Sequence, residues 1–119
     1  YILFGAAPDC GSVASDAYRR STQLNSKPRV LMDSFHGGDL PEVWSGCKVD
    51  ADNLIVTAIK RAEDGSCDIV RCFEADGRDT AAALQLFGER HELQVGHDQI
   101  VTVRSDGGRT NLIEQHKLL

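Results

Sequence analysis

Residues 53–62, Asn53-Leu-Ile-Val-Thr-Ala-Ile-Lys-Arg-Ala62, run into Glu63-Asp-Gly-Ser66 and then into Cys67-Asp-Ile-Val-Arg-Cys-Phe-Glu-Ala75. This stretch decides the fold. The first run is rich in β-branched side chains and has the length of a strand. Asp64-Gly65 between the two runs is the strongest hairpin signal in the chain, because a tight turn between twisted strands needs positive φ. Period-two alternation puts Leu54, Val56 and Ala58 on one face of the first strand and Ile55 and Ile59 on the other. A strand apolar on both faces is expected at the centre of a sheet. In the second run Ile69, Arg71 and Phe73 share a face, and Val70 and Cys72 alternate with Asp68 and Glu74 onto the other.

Toward the C-terminus the same texture continues. Asp76-Gly77 marks a turn. Residues 80–87 (TAAALQLF) have three alanines that suit a helix, but their brevity and their place between Gly77 and Gly88 predict a strand. Residues 90–95 alternate apolar and polar, residues 96–99 turn, and residues 100–104 form another strand that Gly107-Gly108 ends. A last strand is expected over residues 110–115. Short strands at roughly ten-residue spacing with turn signals between them predict an antiparallel sandwich or barrel.

Upstream, residues 1–52 read as an irregular lead-in holding all three prolines and Gly37-Gly38. A strand is expected at residues 1–5 and a short helix at 15–24, with Ser15 as its cap. Pro28 forces extension, so residues 29–32 are expected as a strand, and residues 33–41 as a loop. The chain is read as one domain, residues 1–119. Residues 53–119 are its antiparallel meander. An apolar strand opening at Tyr1 is expected to mark a larger protein cut at this point.

The 119 residues suffice for one core without staples. Net charge is −5, from 13 basic and 18 acidic side chains. That sign argues against nucleic acid, whose phosphates reward a basic surplus. No apolar run approaches the roughly 20 residues of a membrane helix, so no membrane partner is expected. Cys10, Cys47, Cys67 and Cys72 form no CxxC pair. Cys67 and Cys72 stand at odd separation and should face opposite ways, which predicts free thiols and a cytoplasmic setting.

The search for chemistry returns little. His36, His91, His97 and His116 make no zinc spacing. His91 and His97 flank an expected hairpin and are better read as solvated imidazoles than as ligands. There is no nucleophile elbow, and Cys72 in a strand reads as inert core. Glu63-Asp64 and Asp76 with Asp79 fall on turns, where acids cap backbone amides. The Gly37-Gly38 and Gly107-Gly108 pairs match no phosphate loop. Trp44 and Phe35 lie in loop-like sequence. A sugar platform would use such rings, although a lone Trp more often fills a core or an inter-domain contact. No catalytic, cofactor-binding or metal-ligating residue is assigned.

One resemblance goes further. The run from Asn53 to Gly65 and the following Ile69-Val-Arg-Cys-Phe-Glu-Ala-Asp-Gly77 resemble the C-terminal β domain of glycoside hydrolase family 38 α-mannosidases. Thr57, Ala58, Lys60, Glu63, Asp64 and Gly65 carry the likeness, followed by Arg71, Glu74 and Gly77. Thr110-Asn-Leu-Ile-Glu114 is similar to the family's closing strand. Residues 1–4, 17–24 and 25–28 look like its lead-in, whereas residues 34–48 carry little of it.

The resemblance implies an antiparallel sandwich of the galactose-mutarotase and α-mannosidase C-terminal kind. It implies a retaining enzyme that cleaves terminal α-mannosides, with two carboxylates and one zinc in a catalytic domain upstream in the same chain. No position here matches those groups, so this chain is expected to be inactive by itself and to need no cofactor. Its expected role is to support the catalytic domain. An independent carbohydrate-binding or protein-interaction module is the alternative. For Lys60, Glu63, Arg71 and Glu74, cross-strand pairing and packing against the catalytic domain stand as equal readings.

Overall fold

The computed structural model describes Gly5 and residues 13–114. The strand expected at residues 1–5 (apart from Gly5), Cys10, the end of the strand expected at 110–115, and His116 lie outside the described residues. Helix α1 (Val13–Asn25) is followed by β1 (Cys47–Val49), β2 (Leu54–Arg61), β3 (Asp68–Glu74), β4 (Thr80–Leu86), β5 (Glu89–Val95), β6 (Ile100–Arg104) and β7 (Arg109–Thr110). The strands form two antiparallel sheets, β1-β4-β5 and β2-β3-β6-β7.

The inner faces meet in one core. Leu54, Val70, Cys72, Val101 and Val103 come from the four-stranded sheet, and Ala82, Leu84, Leu86, Leu93 and Val95 from the three-stranded one. Two sheets packed over alternating inward residues make a β-sandwich. The expected meander is corrected here. The β2–β3, β4–β5 and β6–β7 hairpins each stay within one sheet, but the links after β1, β3 and β5 cross between sheets. The crossings after β3 and β5 follow from burial, since each hairpin has one apolar face and the only dry place for it is against the other sheet.

The β2–β3 hairpin closes through Asp64-Gly65 as its sequence predicts. Ala62 N–H donates to the Cys67 carbonyl at 2.9 Å, and Gly65 takes φ 71°. Residues 80–86 are strand, not helix. β4 lies at the centre of its sheet, and its run of buried Ala82, Ala83 and Leu84 follows from cover on both sides.

Further expectations are corrected. First, β2 is an edge strand, and the centre of its sheet is β3 with β6. The outer apolar face of β2 has a different cause. Ile55 pairs with Phe73, and Tyr18 of α1 packs edge-on against Phe73 at 5.2 Å. A bulge between Val56 and Ala58 then exchanges the faces, so that Ile59 pairs with inward Val70 and Lys60 with outward Ile69. The Thr57 hydroxyl donates to the Arg71 carbonyl at 3.2 Å within the bulge. Such a bulge also blunts the exposed edge against pairing with other chains.

Second, residues 29–32 belong to no sheet, and the apolar side chains of Val30, Leu31 and Met32 are exposed. The strand that the lead-in does supply is β1, whose three residues pair with β4. Third, Ser15 is not the cap of α1. It sits inside the first turn, where its N–H and hydroxyl donate to Asp76 at 3.2 and 3.5 Å. The carboxylate that serves the helix N-terminus is thus brought from the β3–β4 link, where the helix dipole favours it. At the far end, β7 stops at Thr110. Residues 111–114 turn across the sheet instead of extending it, with Glu114 at φ 64°.

Candidate functional site

The residues that carry the sequence resemblance come together at the two ends of β3. At one end Glu74, 2% exposed, accepts hydrogen bonds from five donors. Its Oε1 takes the Asn53 side-chain amide and the Asp76 N–H, both at 2.7 Å. Its Oε2 takes the N–H groups of Gly77, Arg78 and Asp98 at 2.8, 3.1 and 3.0 Å. Burial pushes this carboxyl up, but the donors on Asp98, Asp76, Asn53 and Arg78 outweigh it and hold the pKa at about 2. Glu74 therefore ties together all three links that cross between the sheets, through Asn53 ahead of β2, residues 76–78 after β3 and Asp98 after β5. Neither of the two roles expected for it, ion pair or inter-domain contact, describes it.

At the other end, Lys60 pairs with Glu63 at 3.6 Å and with Glu114. Glu114 also accepts the Glu63 N–H at 2.9 Å. Arg71 donates to the Leu112 carbonyl at 2.8 Å and to the Thr102 hydroxyl at 3.3 Å. These bonds strap residues 111–114 over the outer face of the sheet. Hydrogen bonding to Lys60 lowers the Glu114 pKa, and the same bond raises that of Lys60.

The other candidates resolve into local roles. Asp64 accepts the N–H and hydroxyl of Ser66 at 2.9 and 2.6 Å. Asp79 accepts the His97 N–H at 2.9 Å and faces its ring at 3.3 Å, and these bonds lower the Asp79 pKa. The structure does not bring His91 to His97. The His91 ring lies beside Gly107, with its Nε2 buried and without a protein partner. Cys67 and Cys72 belong to different core clusters, as their odd separation predicts, and Cys47, Cys67 and Cys72 are free thiols. Among the described residues no three His, Cys, Asp or Glu side chains are placed to hold a metal ion.

Sequence reasoning missed the partners that give these residues their roles. Asn53 supplies the amide to Glu74, and Arg104 grips Asp106 at 2.9 Å and donates to Ser66 at 3.0 Å. It also left Trp44 without a neighbour. Trp44 stacks on Phe87, with ring centroids 6.2 Å apart and planes 18° apart. Both rings are exposed, 70% and 55%. A Cβ on Gly46 would lie 2.8 Å from the Trp44 ring and 3.0 Å from the Phe87 ring, so the pair rests directly on glycine backbone. No helix among the described residues is long and apolar enough to cross a membrane.

Comparison with curated proteins and with solved structures gives no match. Comparison with protein families gives one, to the glycosyl hydrolases family 38 C-terminal beta sandwich domain over residues 53–117. The matched span opens on the Glu74 partner Asn53 and covers β2 through β7 with the 111–114 strap. The two-sheet architecture, the Asp-Gly hairpin and the match over more than half of the sequence agree: this chain belongs to the glycosyl hydrolase family 38 C-terminal β-sandwich domains.

Proposed function

We propose that the chain is the non-catalytic C-terminal domain of a retaining α-mannosidase that removes terminal α-mannosides during glycan breakdown in the cytoplasm, and that it buttresses a zinc-dependent catalytic domain of the same chain. One observation carries this reading. The side chains shared with the family, Lys60, Asp64, Arg71 and Glu74, spend their hydrogen-bonding capacity on this domain's own turns and links. Residues used in that way shape a scaffold. They are not poised over a substrate.

The lead-in supplies the surface such a role needs. Val30, Leu31, Met32, Phe35, Leu40 and Val43 are all exposed along residues 28–44. Apolar groups left in water at that density mark a contact with another protein surface. In this reading the catalytic domain covers them. The glycosidic chemistry, two carboxylates flanking the scissile bond, belongs to that partner, and no step of it is assigned to this chain.

The test is an aryl α-mannoside offered to the full-length parent and to residues 1–119 alone, each with and without added zinc. The parent hydrolyses it in a zinc-dependent manner and the 119-residue chain does not. Zinc-dependent hydrolysis by the short chain would overturn the non-catalytic role, and a parent that cleaves only other glycosides would overturn the mannoside.

A further inference from the structure

Phe87 occupies a costly position. It is the first of the two residues that join β4 to β5, with φ 47°, and Gly88 follows at φ 97°. Positive φ at both residues is the type I′ hairpin geometry, which Asn-Gly fills without strain. A phenyl-bearing residue in the left-handed region is disfavoured. Burial does not compensate, because Phe87 is more than half exposed. Its ring instead aligns with Trp44, and its N–H is tied to the Gly46 carbonyl at 2.8 Å. Strain held at an exposed residue is a reason to look for a ligand.

Beside the Phe87 ring lies a shallow groove of about 360 Å³, lined also by Ser66, Cys67, Leu86, Glu89, Ser105 and Asp106. Two features stand together here, a flat apolar surface and a rim of hydroxyl and carboxylate oxygens. The buried Arg104 fixes part of that rim through Asp106 and Ser66. A pyranose has the matching chemistry, with an apolar C–H face for the rings and hydroxyl donors for the oxygens. Glu89, Asp106 and a net charge of −5 disfavour anionic ligands, nucleic acid among them.

We propose that Trp44, Phe87 and the adjoining groove bind a neutral oligosaccharide, the rings stacking on one sugar and the Ser105–Glu89 rim accepting its hydroxyl protons. The proposal deepens the reading above and takes from it only that the parent enzyme works on glycans. The site would hold a sugar of a branched or extended substrate beyond the one being cleaved.

Trp44 is the single tryptophan of the chain, so its fluorescence reports on this site alone. The 119-residue chain is titrated with α-linked manno-oligosaccharides and with β-linked gluco-oligosaccharides. A saturable fluorescence change with either series is expected. Phe87→Asn keeps the turn geometry, so it should fold at least as well as the wild type while affinity falls about tenfold or more. Glu89→Gln should weaken binding with the ring emission unchanged in the free protein. The proposal is overturned if neither series produces a saturable change, or if Phe87→Asn binds as tightly as the wild type. Either failure leaves the hydrolytic reading standing, because an aryl mannoside carries no second sugar to reach the rings.

Discussion

Replacing Glu74 with Gln removes one charge and almost no volume, and it should be among the most damaging single changes in the domain. The native carboxylate divides five donors between two oxygens. Glutamine keeps one oxygen and turns an NH2 toward the remaining N–H groups, which then face a donor in a nearly dry site. The pKa displacement sets the scale. A carboxyl at 4.5 in the unfolded chain and at about 2 in the fold corresponds to about 3 kcal/mol of folding stability at neutral pH. That stability is complete above the unfolded value and is lost as pH falls through about 2. The amide imitates the protonated acid, so the variant should lack this acid-side loss. Urea unfolding of both proteins from neutral pH down to about pH 2 measures it. A deficit of about 3 kcal/mol that narrows on acidification is expected. A Gln variant within about 0.5 kcal/mol of wild type at neutral pH, or a gap that is constant with pH, would refute the assignment of Glu74 as the organiser of the links between the sheets.

The core and the strap give further expectations. Leu84→Ala opens a cavity under a fully buried side chain of the central strand β4 and should cost about 3 kcal/mol in the same unfolding assay, whereas a loss under about 1 kcal/mol would mean that the sheets close over the gap. Burial first, and then the neighbouring Cys47, push the Cys72 thiol up to about 11, so Cys72 should resist iodoacetamide in the native protein and react once urea unfolds it. Mass spectrometry of the peptides reads this, and labelling of native Cys72 as fast as half-buried Cys47 would contradict the packing. Lys60→Met frees Glu114 from its cation and should speed amide exchange at Ile113 and Glu114 with little change at β3. Unchanged exchange there would show that the Arg71–Leu112 and Glu63–Glu114 bonds hold the strap without the Lys60 cation.

The sequence made the β2–β3 hairpin legible because its determinants are local: alternation, β-branched residues and Asp-Gly at the tip. The strand at 80–86 was legible for the same reason, its alanines notwithstanding, because Gly77 and Gly88 leave no room for a helix of useful length. Pairing is another matter. Residues 29–32 have the composition of a strand yet find no neighbour, while Cys47–Val49, with only three residues, finds β4. A strand exists only with its partner, and partnership is not written locally. The bulge at Thr57 was hidden for a related reason. It adds a residue without changing composition, and it inverts the facing of everything after it. The candidate site was legible in part. Lys60, Arg71 and Glu74 stood out through the family likeness, but the role of Glu74 depends on amides at 76–78 and 98, and Trp44 on a ring at the tip of a distant hairpin.

The family match begins at residue 53, but the physical unit does not. Sheet β1-β4-β5 takes one of its edges from β1, upstream of that boundary, and Asp50 reaches back to the Ala83 N–H at 2.6 Å. Helix α1 is held to the matched part at two points, Ser15 on Asp76 and Tyr18 on Phe73, and Arg19 adds a bond to the Asp52 carbonyl just ahead of it. Asp76 receives Ser15 while its own N–H binds Glu74. One turn therefore joins the helix, the buried carboxylate and the crossing between sheets. A change at Glu74 should then reach α1 as well as the sandwich. Between α1 and β1, Val30, Leu31, Met32, Phe35, Leu40 and Val43 stay exposed, and they are the part of the lead-in left to meet something else.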